Sequence, residues 1–393
     1  MGRALEGIRI LDLSSYIAGP FATMLLGDLG AEIVKIETPG EGDPFRSWDK
    51  EPKLYSPIFC SFNRNKKSLT LNLRSQEGKE IFLRLARQAD VIVENFRPGV
   101  VDRLGIGYDT VREINPKIIY CSISAFGQSG PYRDRPGYDT LGQAYSGLLS
   151  ILTDLESPRG PGAPFSDHLG GVYGCYGILG ALLSRERTGE GQKVETSLLE
   201  GTMSFIGYSI TQSLFTGEVP RMGTRLKQAQ VYAFVAGDDL PFVIHLSHPP
   251  KFWEGLTEVA GRADLREDPR FKDRHARIRN YDELAEILKE IFRTKPRDHW
   301  LKGLLEHDVP CAPIHRLDEV FEDPQVRHLD RLVTIRDPEL GAFQLVKNGA
   351  NLLGTPIDVA LSPPKLGEHS EEILKHTGYS AEQIRDFRGK GII

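Results

Sequence analysis

Short apolar segments alternate with segments of helical spacing through the first third of the chain, and this alternation restricts the fold more than any other feature. Residues 18–29 and 78–89 carry apolar side chains at the spacing of an amphipathic helix. The apolar segments around them are short and contain many β-branched residues, and they predict strands at residues 8–14, 31–37, 68–73, 90–96 and 117–125. A chain that repeats strand, helix and strand predicts a parallel sheet that helices cover on both faces.

The remainder of the chain predicts one further strand and a second domain. Residues 138–187 are mostly of helical character and contain many small residues that allow close approach, and residues 192–196 follow as a strand. The polar and basic residues 220–230 are typical of a linker. Beyond them, a strand at residues 242–246 and several charged helices predict a smaller α/β domain, and residues 380–387 predict a final amphipathic helix.

Composition and charge exclude several classes of protein. Basic residues number 49 and acidic residues 54, and this near balance argues against binding nucleic acid through bulk charge. No segment approaches the roughly 18 apolar residues of a membrane span, and the N-terminus lacks the apolar core of a signal peptide. The four cysteines form no CxxC pair, which is typical of a reduced compartment and argues against a structural zinc site; Cys121 and Cys175 are expected in the core. We therefore expect a soluble cytoplasmic protein that binds neither nucleic acid nor membrane.

The turn after the first predicted strand lacks the glycine fingerprint of dinucleotide-binding proteins. It reads SSYIAGP at residues 14–20 instead of GxGxxG. Glu37, at the end of the second predicted strand, would match the acidic residue that binds the ribose of NAD, and this feature gives weak support to an NAD-dependent oxidoreductase. The chain contains no GxxxxGK[ST], HExxH or GxSxG motif, so the usual signatures of nucleotide hydrolysis, zinc proteolysis and serine esterases are missing.

Six short groups of residues follow one another along nearly the whole chain. They are residues 5–12 (LEGIRILD) with 18–20 and 30–37; residues 63–68 (NRNKKS) with 71–73; residues 90–99 (DVIVENFRPG) with 103–105; residues 136–139 (PGYD) with 146–147; residues 166–167 and 170–171 with 187–192 (RTGEGQ); and residues 310–313 (PCAP) with 366–369 (LGEH). Each group is weakly specific by itself. The ordered set resembles the class III CoA-transferases, the family of formyl-CoA transferase and crotonobetainyl-CoA:carnitine CoA-transferase.

The resemblance implies a fold and an assembly. A large Rossmann-like domain with a parallel sheet would be formed by residues 1–215 and 330–393, and it would bind CoA. A smaller α/β domain with its linkers would be inserted between them as residues 216–329. In this family two subunits interlock like links of a chain, so the resemblance implies an interlocked homodimer.

The resemblance also implies the chemistry of a CoA-transferase, which moves CoA from an acyl-CoA donor to a carboxylic acid acceptor. Asp167 would be the nucleophile and would form first an aspartyl-acyl anhydride and then an aspartyl-CoA thioester. A carboxylate gains reactivity when it is positioned beside a thioester and shielded from water, and N–H groups of the glycine-rich turn beside it would stabilise the tetrahedral intermediates. CoA and acyl-CoA are substrates, and no permanently bound cofactor or metal is expected. From the residues alone, the N-cap of a helix would be the favoured role of Asp167, and the resemblance reverses that preference.

Binding residues follow from the positions that match the family. The CoA site implied by the resemblance consists of Ile17, Ala18, Leu71, Asn72, Arg74, Asn95, Phe96, Arg97 and Arg103. Tyr138 and Arg225 are expected on the substrate side, although a turn aromatic and a basic linker would explain them as well. The phosphates of CoA require nearby cations, and Arg64, Lys66 and Lys67 are further candidates unless they are solvated surface charges.

Two departures from formyl-CoA transferase bear on the substrate, and two other functions compete. Ile17 stands where that enzyme has glutamine, and residues 222–230 contain one glycine where it has a glycine-rich lid, so formyl and oxalyl substrates are not expected. An α-methylacyl-CoA racemase on the same fold would need a His-Asp pair at residues 138–139, where the histidine is missing. His168 follows Asp167 directly, and neighbouring residues of a helix point about 100° apart. A CoA-binding protein without catalysis is the other alternative.

Overall fold

A six-stranded parallel sheet forms the centre of the computed structural model, which describes residues 2–48, 56–339 and 341–393. Its strands are β1 Arg9–Asp12, β2 Glu32–Glu37, β3 Lys66–Thr70, β4 Val91–Glu94, β5 Ile119–Ser124 and β6 Lys193–Ser197. All six overlap strands predicted from the sequence, although β3 begins earlier than its pattern indicated. The strand order is β3-β2-β1-β4-β5-β6, so the direction in which strands are added reverses between β1 and β4.

Helices cover both faces of this sheet, as predicted. The first ten are α1 Ala18–Asp28, α2 Pro57–Asn63, α3 Gln76–Ala86, α4 Val100–Leu104, α5 Tyr108–Ile114, α6 Asp139–Ser146, α7 Leu148–Leu152, α8 Phe165–Thr188, α9 Leu198–Phe205 and α10 Gly207–Thr216. Ile81 and Phe82 of α3 belong to the core on one face, whereas Cys175 and Ile178 of α8 belong to the core on the other. Cys121 of β5 is buried in the α8 layer, which confirms the expectation for both core thiols. Within the described ranges, no helix is long and apolar enough to span a bilayer.

The chain divides into two compact units. One contains the parallel sheet and consists of residues 1–149, 160–211 and 331–393, and the other consists of residues 150–159 and 212–330. The elements that follow α10 in the second unit are α11 Thr224–Ala229, β7 Val231–Val235, β8 Pro241–His245, α12 Pro250–Val259, α13 Arg274–Arg279, α14 Tyr281–Phe292, α15 Arg297–Glu306, β9 Cys311–Pro313 and α16 Pro324–His328. Its three strands pair in antiparallel fashion and share an apolar core with the helices.

The segment predicted as a linker, residues 220–230, contains a short helix. Helix α11 begins after Gly223, which has a φ of 84° in the left-handed region, and it ends at Gln230. The buried Gln230 side chain donates from Nε2 to the Ser247 carbonyl at 3.1 Å. A polar composition therefore concealed a segment that is fixed by a buried side chain at its end.

The last segment of the chain returns to the first unit. A hairpin of β10 Leu332–Asp337 and β11 Gly341–Val346 comes first and was not predicted from the sequence. Two helices follow, α17 Ser370–His376 and α18 Ala381–Gly389. The second confirms the predicted final helix, and Ser380 and Gln383 form a capping box at its N-terminus.

Buried ion pairs support the turn that follows β1. They join Asp12 to Lys66, Lys35 to Asp43, Glu37 to Arg46 and Asp28 to Arg64, at nitrogen–oxygen distances of 2.9, 2.9, 2.8 and 2.7 Å. A charge that is removed from water requires a close partner of opposite sign. The pairs therefore join β1 to β3, join the end of α1 to the segment before β3, and hold the loop after β2 against that strand.

The buried pairs correct the interpretations of Arg64, Lys66 and Glu37. Arg64 and Lys66, candidates for the phosphates of CoA, are 2% and 0% exposed, so they are neither ligands of CoA nor solvated charges. Lys67, their neighbour, pairs with two surface glutamates. Glu37 accepts hydrogen bonds from Nε and Nη2 of Arg46, each at 2.8 Å, so its carboxylate is not available to bind the ribose of NAD.

Candidate active site

The β1–α1 turn and the β4–α4 turn meet at the carboxyl ends of the central strands. The strand order reverses between β1 and β4, and open α/β sheets bind ligands at such a point. Asn95, directly after β4, joins the two turns: its Oδ1 accepts the Ser15 N–H at 2.9 Å and its Nδ2 donates to the Ser15 carbonyl at 2.7 Å. Asn95 therefore fixes the backbone that carries Ile17 and Ala18, two further residues of the predicted CoA site.

Tyr16 places an aromatic ring in the same turn. Its φ of 67° lies in the left-handed region, which is uncommon for a bulky residue, and its N–H donates to Asp43 Oδ1 at 3.3 Å. The ring packs edge-on against Tyr138 with 5.9 Å between the centroids. Burial, together with the hydrogen bond to Tyr138, raises the pKa of Tyr16. Tyr138 is exposed at the N-terminus of α6 beside this ring, and its role on the substrate side stays a prediction.

Helix α8 approaches the N-terminus of α1 closely because glycine occupies the contact. A Cβ on Gly171 would lie 2.7 Å from the Ala18 carbonyl oxygen and 3.0 Å from Phe21 Cδ1, too close for a real side chain. The contact brings Ile17 and Ala18 beside the first turns of α8. Gly170 and Gly171 lie inside helix α8 and not in a turn. In the interior of a helix the backbone N–H groups are already bonded along the helix. The expectation that a glycine-rich turn donates N–H groups to the intermediates is therefore wrong.

Asp167 lies in the first turn of α8 and is partly buried. Pro164 occupies the N-cap position, so the alternative role of Asp167 as the cap is wrong. The Asp167 N–H donates to Asp139 Oδ1 at 3.1 Å, which brings a second carboxyl group to the site. Burial, and then the negative charge of Asp139, raises the pKa of Asp167 to about 7. The Asp167 carboxyl group therefore stays protonated to a higher pH than an ordinary aspartate.

Asp139 belongs to this site, although the sequence did not identify it as a neighbour of Asp167. It begins α6, and its Oδ2 accepts a hydrogen bond of 2.5 Å from Nε2 of the buried Gln143. Gln143 also donates to the Ala163 carbonyl at 3.0 Å, so the carboxyl of Asp139 is held in place from behind. The sequence indicated Asp139 only as half of a racemase pair, because its contact with Asp167 joins segments that are far apart along the chain.

We expect Asp139→Asn to move the acidic limb of the pH profile of kcat/KM to lower pH. The substitution removes the negative charge that helps to raise the pKa of Asp167, so a larger fraction of Asp167 is ionised at pH 6. The expected shift is up to about one pH unit. Steady-state rates of thioester exchange between pH 5 and pH 9 measure it. Glu186→Gln, the same loss of charge at the exposed far end of α8, is the control, and normal turnover with an unmoved limb in Asp139→Asn would contradict the role.

The other residues of the predicted CoA site differ in exposure. Leu71 is buried in the core layer of α3, and Phe96 is partly buried against the same layer. Asn72 shapes the turn before α3, since its Oδ1 accepts the backbone N–H of residue 74 at 3.1 Å. The three arginines of the predicted CoA site, Arg74, Arg97 and Arg103, are exposed. Within the described part of the chain they pair with no carboxylate. Arg225 is exposed on α11 of the second unit, and its role stays a prediction.

A polar cleft of about 200 Å³ opens beside the end of β4, the middle of β5 and the first residue of β6. Its lining includes Glu94, Arg97, Ser122, Gln128 and Lys193. Glu94 is buried, and burial raises its pKa to about 7 although its Oε2 accepts the Phe96 N–H at 2.8 Å. Neighbouring residues of a strand point to opposite faces. Because Cys121 faces α8, Ser122 and the cleft lie on the other face of the sheet from Asp167.

Comparison with known proteins assigns this chain to a family. The sequence profile of CoA-transferase family III matches residues 5–370. The chain belongs to CoA-transferase family III. It is 37% identical to formyl-CoA:oxalate CoA-transferase of Streptomyces coelicolor, over 100% of this chain and 99% of that protein. It is 34% identical to succinyl-CoA:glutarate CoA-transferase of Homo sapiens, over 100% of this chain and 90% of that protein. A CAIB/BAIF family protein from Brucella suis has the same fold, with a TM-score of 0.85, 31% identity and coverage of 96% of this chain and 100% of that one.

As a member of family III, the protein is a CoA-transferase, an enzyme that moves CoA between an acyl-CoA and a carboxylic acid. This confirms the family and the enzyme class expected from the sequence. Packing accounts for His168, the one histidine next to Asp167: its ring lies 4.9 Å from that of Phe21 and 5.7 Å from that of Phe62, and its Nδ1 is 2.8 Å from the Pro164 carbonyl. The racemase hypothesis gains no second base from it.

Proposed function

We propose that Asp167 is the nucleophile of this CoA-transferase and that CoA moves through covalent intermediates on its carboxyl group. The observation that carries the proposal is a partly buried carboxyl with a pKa raised to about 7, at the helix end that meets the β1–α1 turn. A carboxylate of this kind is more basic and less hydrated than one in water, and both properties favour attack on a thioester. Groups with such displaced pKa values are frequent at functional sites.

The reaction consists of four displacements that return Asp167 to its starting form. The Asp167 carboxylate attacks the carbonyl carbon of the acyl-CoA, and the C–S bond breaks. CoA thiolate departs, and an aspartyl-acyl anhydride remains on the enzyme. The thiolate then attacks the Asp167 carbonyl, and the donor acid leaves as a carboxylate from an aspartyl-CoA thioester. The acceptor carboxylate attacks that thioester and releases the thiolate. The thiolate finally takes the acceptor acyl group and frees the Asp167 carboxylate.

We propose that the CoA site lies in the large domain, which is formed by residues 1–215 and 330–393. Residues 216–329 would form the small domain. The turns at the carboxyl ends of β1, β3 and β4 supply the predicted ligands, and Asn95 links two of these turns. Arg74, Arg97 and Arg103 are exposed, and guanidinium groups pair with phosphate through two parallel hydrogen bonds. These three side chains therefore suit the phosphates of CoA.

A dicarboxylic acid is the proposed acceptor. The two relatives compared above are named for oxalate and glutarate, which are both dicarboxylic acids. Ile17 adds an aliphatic side chain at the β1–α1 turn where formyl-CoA transferase has an amide, and this loss of a hydrogen-bonding group disfavours oxalyl and formyl groups. We therefore expect a longer dicarboxylate such as glutarate to exchange faster than oxalate.

An exchange assay tests this function. The protein is mixed with succinyl-CoA and with oxalate, glutarate, malate or acetate, and the thioesters are measured by mass spectrometry. We expect a new thioester to form as succinyl-CoA disappears, and rapid quenching to leave an added mass on the peptide that contains Asp167. Release of free CoA without a new thioester would indicate a hydrolase, and exchange without any adduct on Asp167 would argue against the covalent route.

The proposal includes an interlocked homodimer, expected to form in the cytoplasm. Helix α8 buries one face in the sheet core and exposes a second apolar stripe: Val172, Tyr176, Leu179 and Leu183, which are 36–73% exposed. Their spacing places them on one side of the helix, and an exposed apolar surface of this kind is typical of a protein interface. The four cysteines are free thiols, which supports a reducing compartment. Light scattering should give twice the chain mass of 43.9 kDa, and a monomer at micromolar concentration would contradict the assembly.

A further inference from the structure

The loop between β5 and α6 carries an arginine that lies opposite one of the predicted CoA ligands. Arg133 Nη2 is 3.3 Å from the point where a Cβ of Gly99 would stand, and Arg103 Nη1 is 3.2 Å from the same point. Gly99 has a φ of 80°, in the left-handed region that favours glycine. Two guanidinium groups from separate segments therefore face one small space above the Cα of Gly99.

Among the residues that the structure describes, no carboxylate forms an ion pair with the two guanidinium nitrogens that face Gly99. Arg133 pairs with the exposed Asp134 at 4.0 Å, but through Nη1 and not through the Nη2 that faces Gly99. Arg103 pairs with no carboxylate among the residues that the structure describes. Like charges held close together repel each other. Guanidinium groups that converge without a carboxylate are therefore suited to bind an anion between them.

Aromatic packing holds the loop that presents Arg133. The ring of Tyr132 lies 6.0 Å from that of Phe126 and 5.1 Å from that of Tyr145. The guanidinium of Arg135 stacks on Tyr132 at 3.8 Å and donates to the Tyr145 hydroxyl at 3.0 Å. Tyr132 and Arg135 are thus held in place, which restricts the backbone that carries Arg133 and lowers the entropy lost when an anion binds.

We propose that Arg133 and Arg103 together bind a phosphate group of CoA above Gly99, an inference that rests on the proposed function. Neither Arg133 nor Gly99 belongs to the CoA site implied by the sequence. The planar fork of a guanidinium group matches two oxygens of a phosphate, and the missing side chain of Gly99 lets the third oxygen approach the backbone. CoA offers two groups of this chemistry, the 3′-phosphate and the pyrophosphate, and a comparison of ligands distinguishes them.

Calorimetric titration with CoA and with 3′-dephospho-CoA tests the binding separately from catalysis. Arg133→Ala should weaken CoA binding by about 10- to 100-fold, the effect of removing one charged hydrogen-bond donor, and Arg133→Lys should recover part of the loss. If the ligand is the 3′-phosphate, the variant and the wild type should bind 3′-dephospho-CoA equally. If it is the pyrophosphate, the loss should persist with both ligands, and the affinity of Arg133→Ala should depend less on salt than that of the wild type.

Arg87→Ala is the matched control, because Arg87 is exposed at the C-terminus of α3, at the amino edge of the sheet, and its loss should leave CoA binding unchanged. Equal CoA affinity of Arg133→Ala and the wild type would overturn the inference. A loss with both ligands and an unchanged salt dependence would also overturn it, since a structural defect behaves in that way. Binding that depends on Arg133 in a protein that exchanges no thioester would refute the proposed reaction and leave this site standing.

Discussion

Asp167→Asn is expected to lower the rate of thioester exchange by roughly 10⁴-fold or more while CoA binding stays within a few fold of the wild type. The amide nearly matches the carboxyl group in shape but cannot attack a thioester, and removal of a nucleophile from other covalent enzymes has effects of this size. The hydrogen bond to Asp139 comes from the backbone N–H of residue 167 and survives the substitution. Initial rates of exchange and calorimetric titration with CoA measure the two quantities.

The same substitution should make the protein more stable at neutral pH. The pKa of Asp167 is about 7 in the folded chain, above its ordinary value of 3.8, so the folded state binds more protons than the unfolded state between these two values. The wild type therefore loses stability as the pH rises through this window, and Asp167→Asn does not. The difference in Tm between the variant and the wild type should grow from pH 5 to pH 8.

Two further variants control this experiment. Asp167→Ala also lacks the nucleophile and should be as inactive as Asp167→Asn, whereas Glu186→Gln, at the other end of α8, should change neither the rate nor the Tm. Normal turnover in either variant of Asp167 would exclude the covalent mechanism. A Tm difference that does not vary with pH would show that burial does not raise the pKa of this carboxyl group.

The sequence predicted those features that depend on neighbouring residues. Most strands of the parallel sheet lie in short apolar runs, whereas β3 lies in an alternating segment and β6 follows the turn at residues 189–191. These local patterns predicted all six strands before any contact was known. The position of Asn95 follows from the same pattern, because a polar residue directly after a buried strand reaches the carboxyl edge of the sheet, where ligands bind. Helix α18 was predicted as well, since its apolar spacing is local.

Contacts between distant segments could not be predicted in this way. Arg64 and Lys66 belong to a run of cations that suggests a phosphate site. In the fold, they form buried ion pairs with Asp28 and Asp12, which lie far away in the sequence. Likewise, no local pattern shows that Asp139 accepts the Asp167 N–H. Lys66 and Lys67 illustrate why local sequence does not identify the buried cation. They are adjacent and chemically identical, and only Lys66 is buried because the two side chains point to opposite faces of β3.

Lys66→Met is expected to destabilise the fold by about 3–5 kcal/mol, the cost of leaving a buried charge without its partner. Lys66 Nζ lies 2.9 Å from Asp12 Oδ2 and also donates to the Pro20 carbonyl and to Asn63 Oδ1, and both side chains of the ion pair are 0% exposed. Burial alone would raise the pKa of Asp12, but the ammonium groups of Lys66 and Lys35 hold it below its usual value. In Lys66→Met, Asp12 remains buried but has lost one of the two ammonium groups that stabilise its charge.

Scanning calorimetry at pH 7 should show a fall in Tm of roughly 10 °C for a unit of this size. Lys67→Met is the matched control, because Lys67 is the next residue of β3, its side chain is 25% exposed, and its surface pairs are worth less than about 1 kcal/mol. Adding Asp12→Asn to Lys66→Met should recover much of the loss, since an amide leaves no charge to bury. If both lysine variants melt alike, or if the double variant is no more stable than Lys66→Met, the buried pair is not what stabilises the β1–α1 turn. The turn that carries Ile17 and Ala18 is then held by its other contacts, such as those of Asn95 and Asp43.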